Sequence, residues 1–102
     1  MTRLLTDEEI ERQLGDLPGW TRDGDTIRAS FEAPEFLTGI ALVQEVGAAA
    51  EAMDHHPDID IRWRTVSFAL STHSEGGLTQ LDVELAHQIS QEATRKGATA
   101  SG

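Results

Sequence analysis

A chain of 102 residues, 38% apolar and 25% charged, suits one soluble globular domain and leaves no apolar run long enough to cross a bilayer. Its formal net charge of −10 argues against non-specific nucleic-acid binding, which needs a surplus of Lys and Arg to neutralise phosphates. With no cysteine there is no disulfide framework, thiolate nucleophile or Cys-based metal site, so histidine and carboxylate chemistry remains.

Met1 to Thr6 carry one basic residue and no sustained apolar stretch, so they do not read as a signal peptide and a cytoplasmic location is expected. Thr6-Asp7-Glu8-Glu9 pairs an N-cap hydroxyl with a carboxylate three residues on, a capping box that predicts a helix with Ile10, Leu14 and Leu17 on its apolar side. Pro18-Gly19 ends it. Trp20 to Arg22 and Ile27 to Phe31 flank Asp23-Gly24-Asp25, which reads as a hairpin. Pro34 fits the first turn of a second helix, running to about Asp54, with Phe36, Ile40, Val43, Val46, Ala49 and Met53 at helical spacing. Gly39 and Gly47 weaken that helix but permit close packing.

After Pro57, Ile59, Ile61 and Trp63 alternate with Asp58, Asp60 and Arg62, the two-residue period of a half-buried strand. Val66, Phe68 and Leu70 continue the pattern in a second strand, although Arg64-Thr65 is a poor turn signal. Trp20 and Trp63 are both expected as core aromatics. Ser71 to Gly77 form a polar, glycine-rich loop; Thr79 and Asp82 then supply capping chemistry for a third helix striped by Leu81, Leu85 and Ile89. The order α-β-β-α-β-β-α predicts an α+β fold, a four-stranded antiparallel sheet covered on one face by three helices. One domain spans residues 1–93, and residues 94–102 read as a flexible tail.

Chemistry concentrates at three histidines. Glu51 and His55 stand four residues apart at the end of the second helix, so the carboxylate can meet and orient the imidazole. His56 follows at once, and Pro57 fixes the corner. His73 sits in the glycine-rich loop, whose free N–H groups suit a polar ligand. Any one of these histidines alone reads as a helix-end or surface residue, and Asp54 beside them as a helix-end carboxylate; the cluster of three is what points to function. His87 on the third helix reads as surface. A metal site is not expected, because Glu51-x-x-x-His55 does not place two imidazoles on one helical face and His55 and His56 diverge.

Glu51-x3-His55-His56-Pro57, then Trp63, His73 and Asp82, resembles the signature of the pterin-4a-carbinolamine dehydratases. Gly19-Trp20, Phe31, Leu70-Ser71-Thr72-His73 and Gly77-Leu78-Thr79 extend the likeness over about residues 8 to 92. The resemblance implies dehydration of 4a-hydroxytetrahydropterin to quinonoid dihydropterin, which recycles the cofactor of aromatic amino acid hydroxylases. Imidazoles, with pKa values near 6.5, suit the proton transfers without a metal or redox cofactor. By the same resemblance His55, His56 and His73 are the active-site histidines, with His55 and His73 as acid/base groups and His56 mainly binding substrate. Pro57, Thr72, Ser74 and Glu75 then line the pterin site, while Glu51, Asp54, Trp63 and Asp82 support it. The chain departs from many relatives at Ile59, where they carry an aromatic residue, and at Ser74, where they carry an acid that Glu75 replaces. The resemblance also implies a homodimer or homotetramer, with no membrane or direct nucleic-acid partner. Its alternative is a non-catalytic dimerisation or RuBisCO-assembly role on the same fold.

Overall fold

A computed structural model describes residues 2–101. Thr6 opens α1 (Asp7–Leu14) through the expected reciprocal cap: its hydroxyl accepts from the Glu9 amide at 3.2 Å, and Glu9 accepts from the Thr6 amide at 2.9 Å. Arg3 grips the same carboxylate at 2.6 and 2.8 Å. Before the helix, the Leu5 amide donates to the Leu78 carbonyl at 2.8 Å, which lays the first residues beside the loop that carries His73.

The hairpin β1 (Thr21–Asp23) and β2 (Thr26–Glu32) turns at Gly24, whose φ of +63° suits a residue without Cβ. α2 (Phe36–Met53) leads to a second hairpin, β3 (Asp58–Arg62) and β4 (Thr65–Leu70). After a 3-10 turn, His73–Glu75, comes α3 (Gln80–Arg95). The antiparallel sheet runs β1-β2-β4-β3. Ile27, Ala29 and Phe31 of β2 alternate inward with Val66, Phe68 and Leu70 of β4, and Leu42 and Val46 of α2 and Leu85 and Ile89 of α3 complete one core. Burying apolar surface on that single face is what binds the helices to the sheet. Trp20 lies in it as expected, edge-on to Phe31, with its indole N–H donating to Ser90 Oγ at 2.8 Å.

Four expectations change. The inner face of α2 is Gly39, Leu42, Val46 and Ala50, whereas Phe36 and Ile40 are exposed. The helix is apolar nearly all round, so spacing alone did not single out the buried side. Gly39 earns its place there, since a Cβ would stand 3.2 Å from Val66 Cγ2; at Gly47 it would meet nothing within 4 Å. Secondly, this helix of 18 residues with mean hydropathy 1.2 does reach the length and apolarity of a bilayer span, with 22% of it buried in the fold. Thirdly, Trp63 is 74% exposed: β3 ends at Arg62, and Trp63 forms the turn with φ +53° beneath the Arg64 guanidinium. Finally, a fifth strand, β5 (Thr99–Ala100), pairs with Phe31 and Glu32 on the stretch of β2 that β1 leaves open. Gly19 admits it, because a Cβ there would lie 2.8 Å from Ala100 Cβ.

Candidate active site

α2 is capped by Asp54, which takes a left-handed conformation (φ 50°, ψ 43°) while the His55 amide donates to the Ala50 carbonyl at 3.0 Å. This is a Schellman-type stop, and it redirects the two histidines. The four-residue spacing of Glu51 and His55 brings side chains together only while the helix continues. Because the chain leaves the helix between them, Glu51 meets His56 instead, at 2.5 Å between Oε2 and Nε2, with both side chains largely exposed. His55 turns inward.

There its Nε2 lies 2.6 Å from Oδ1 of Asp82, a carboxylate with no solvent exposure. Asp82 is also the third residue of α3, so Oδ2 accepts from the Thr79 amide at 2.9 Å and closes a second capping box. The same Oδ2 accepts from the Thr72 hydroxyl at 2.7 Å, and Thr72 Oγ1 lies 2.8 Å from Thr79 Oγ1. Proton counting sets the direction of every bond. Thr72 spends its one hydroxyl proton on Asp82, so Thr79 donates to Thr72, and Thr79 Oγ1 accepts from the Leu81 amide at 3.3 Å. A carboxylate only accepts, so Nε2 of His55 carries a proton and Nδ1 is the ring atom left to exchange one. Among the described residues, no buried side-chain nitrogen or oxygen lacks a partner.

Thr72 also seats His73. Its amide donates to the Gly77 carbonyl at 2.8 Å, and its carbonyl accepts from Glu75 at 3.0 Å and from Gly77 at 3.3 Å. The turn between them, His73–Glu75, is closed by Gly76 at φ +74° and presents an exposed His73. Asp82 thus joins the His55 corner to the segment bearing His73. Pro57 continues the corner, and Ser74 and Glu75 lie on the His73 turn. Asp54 serves as the exposed C-cap. Trp63 stands just past the far end of β3, roughly 20 Å along the strand direction from Pro57 at about 3.3 Å per residue. Thr79, read from sequence only as a cap, is the residue whose part in this network went unseen; its Thr-x-x-Asp spacing announced the cap but not the hydroxyl bond to Thr72.

Cavities lie elsewhere on the molecule. One of about 540 Å³ runs between Leu17-Pro18, α3 and β5, with His87 on its wall; another of about 420 Å³ lies on the open sheet face around Ser30 and Ser67. No three His, Asp or Glu side chains among the described residues converge as metal ligands would.

Residues 3–92 match the family model described as pterin 4 alpha carbinolamine dehydratase. A Nocardia farcinica protein, named provisionally as a pterin-4-alpha-carbinolamine dehydratase, is 59% identical over 90% of this chain and 97% of its own length. A Roseiflexus castenholzii protein of the same provisional name is 57% identical over 89% and 98%. A Brucella melitensis crystal structure, titled a transcriptional coactivator/pterin dehydratase, superposes with a TM-score of 0.87 at 32% identity, covering 89% of this chain and 99% of that one. A pterin dehydratase-like protein identified as a RuBisCO assembly factor of the alpha-carboxysome shares the fold, with a TM-score of 0.60 at 16% identity over 72% of this chain and 86% of its own. On sequence along most of its length, and on a fold shared with its relatives, this chain belongs to the pterin-4a-carbinolamine dehydratase family.

Proposed function

We propose that this protein dehydrates a 4a-hydroxytetrahydropterin to the quinonoid dihydropterin by histidine acid/base catalysis. It does so in the cytoplasm, without metal or redox cofactor, and recycles the cofactor of aromatic amino acid hydroxylases. The observation that carries this reading is the buried Asp82-His55 pair tied through Thr72 to the turn that presents His73. In the reaction a base takes the proton of the pterin ring nitrogen, the nitrogen lone pair forms a double bond to C4a, and the C4a–O bond breaks. An acid protonates the departing hydroxyl, so water leaves and no electrons are gained or lost. His55, with Nε2 committed to Asp82, exchanges its proton at Nδ1, and His73 serves the other transfer. His56 binds the ring, along with Pro57, Ser74 and Glu75.

The test is the loss of the 4a-carbinolamine absorbance formed by a phenylalanine hydroxylase. The purified protein is expected to accelerate it, and His73→Ala to lose at least ~100-fold of that acceleration, the range of a single acid/base group. A folded protein that leaves the rate at its uncatalysed value sinks the proposal.

The exposed row Phe36, Leu37 and Ile40 on α2 favours a companion reading, assembly into a homodimer or homotetramer. Light scattering at micromolar concentration reads this directly, and a monomer would contradict it. An inactive, well-folded protein that still used this face would turn the assignment to a binding or assembly role.

A further inference from the structure

We infer that Thr72 is a positioning residue whose hydroxyl couples the two histidine-bearing segments. Thr72 is buried, and each of its polar atoms is spent inside the protein: the amide on Gly77, the carbonyl on Glu75 and Gly77, and the hydroxyl on Asp82 and Thr79. The hydroxyl is thereby committed to Asp82 and Thr79.

What those bonds do is specific. Oδ2 of Asp82 is held by the Thr72 hydroxyl at 2.7 Å and the Thr79 amide at 2.9 Å, and this pair of donors fixes the plane of the carboxylate so that Oδ1 faces His55. The backbone of Thr72 meanwhile anchors both ends of the turn that begins at His73. Displacement of one segment is therefore felt by the other across a single side chain. A residue needed only to fill space would be replaced by valine, which has the same shape. Valine has no hydroxyl, so Oδ2 would lose a donor in a site without water access, where an unmade bond is costly.

The kinetic arm of the test rests on the dehydratase reading; the spectroscopic arm does not. In Thr72→Val, kcat is expected to fall about tenfold or more while KM changes less than about twofold, as when a group orienting a catalytic side chain is lost. Thr72→Ser, which keeps the hydroxyl, is expected to recover most of kcat. By NMR, the ring nitrogens of His55 and the amide of His73 are expected to shift together in Thr72→Val and to return in Thr72→Ser. Unchanged His55 and His73 resonances in Thr72→Val would overturn the proposal, as would a raised KM at unchanged kcat, the mark of a substrate contact. If Thr72→Val does not fold, Thr72→Ala takes its place with the same readouts. Joint shifts in a protein that shows no dehydratase activity would uphold the coupling and overturn only the proposed reaction.

Discussion

His55 and Asp82 are 27 residues apart in sequence, yet their side chains meet at 2.6 Å and fasten the end of α2 to the start of α3. The carboxylate in this contact caps α3, accepts the Thr72 hydroxyl and sets the His55 tautomer at once. Removing it therefore disturbs both the fold and the proposed chemistry. Asp82→Ala is expected to cost about 3 kcal/mol or more, since a cap is lost and buried donors go unmatched. Asp82→Asn retains the shape but not the charge, and is expected to lower kcat about 10- to 100-fold at smaller cost in stability. Denaturant titration and turnover measured on the same preparations separate the two effects; equal loss of both in Asp82→Asn would contradict the assignment.

The Glu51-His56 contact is of the opposite kind. Its side chains are 76% and 55% exposed, so solvent screens the pair and holding it in place costs side-chain entropy. Glu51→Gln is expected to change stability by less than about 1 kcal/mol. With His56 assigned to binding, the same substitution should raise KM several-fold and leave kcat nearly unchanged. A fall in kcat at constant KM would place Glu51 in the proton transfers instead.

Two glycines of α2 make a paired test of packing against propensity. At Gly39 an added methyl would lie 3.2 Å from Val66 Cγ2, so Gly39→Ala is expected to destabilise by about 1 to 2 kcal/mol through overpacking. At Gly47 the methyl meets nothing within 4 Å, so Gly47→Ala is expected to stabilise by roughly 0.5 to 1 kcal/mol from helix propensity alone. Thermal melts of the two variants should move in opposite directions.

Acid stability offers a check on the first cap. The Arg3 guanidinium, with help from the Thr6 amide, holds the Glu9 carboxyl down from its ordinary 4.5 to about 2. A carboxyl whose value is lower in the folded chain adds stability that is fully present above about 4.5 and fades as pH falls through about 2. The gap in melting temperature between the parent protein and Glu9→Gln is thus expected to be widest near neutrality and to close as pH 2 is approached. A gap that stayed constant with pH would rule out the ionic part of the cap.

Local chemistry was legible from sequence. Both capping boxes, the turn at Gly24 and the inward alternation of Val66, Phe68 and Leu70 follow from neighbouring residues and appear as expected. What failed depended on distant partners. Glu51 was assigned to the wrong imidazole because the left-handed Asp54 breaks the helical register between them. The buried side of α2 could not be read from a helix apolar on nearly every side, and Trp63 alternated like a core residue although the strand stops one position before it. Thr99 and Ala100 have little strand signal of their own; β2 supplies their pairing and Gly19 their space. The sequence singled out three histidines, but the oxygen that meets His55 lies on an element whose approach no spacing rule predicts.

The bond from the Leu5 amide to the Leu78 carbonyl, with Leu4 packed so close to Gly77 that a Cβ there would stand 3.0 Å from it, has a practical reach beyond the fold. Leu4 and Leu5 thus rest against Gly77 and Leu78, the residues that follow the His73 turn, although no catalytic inventory would include them. An affinity tag joined at that end sits upstream of the same contact, and rates measured with and without it are a direct gauge of how far the leading segment governs the site.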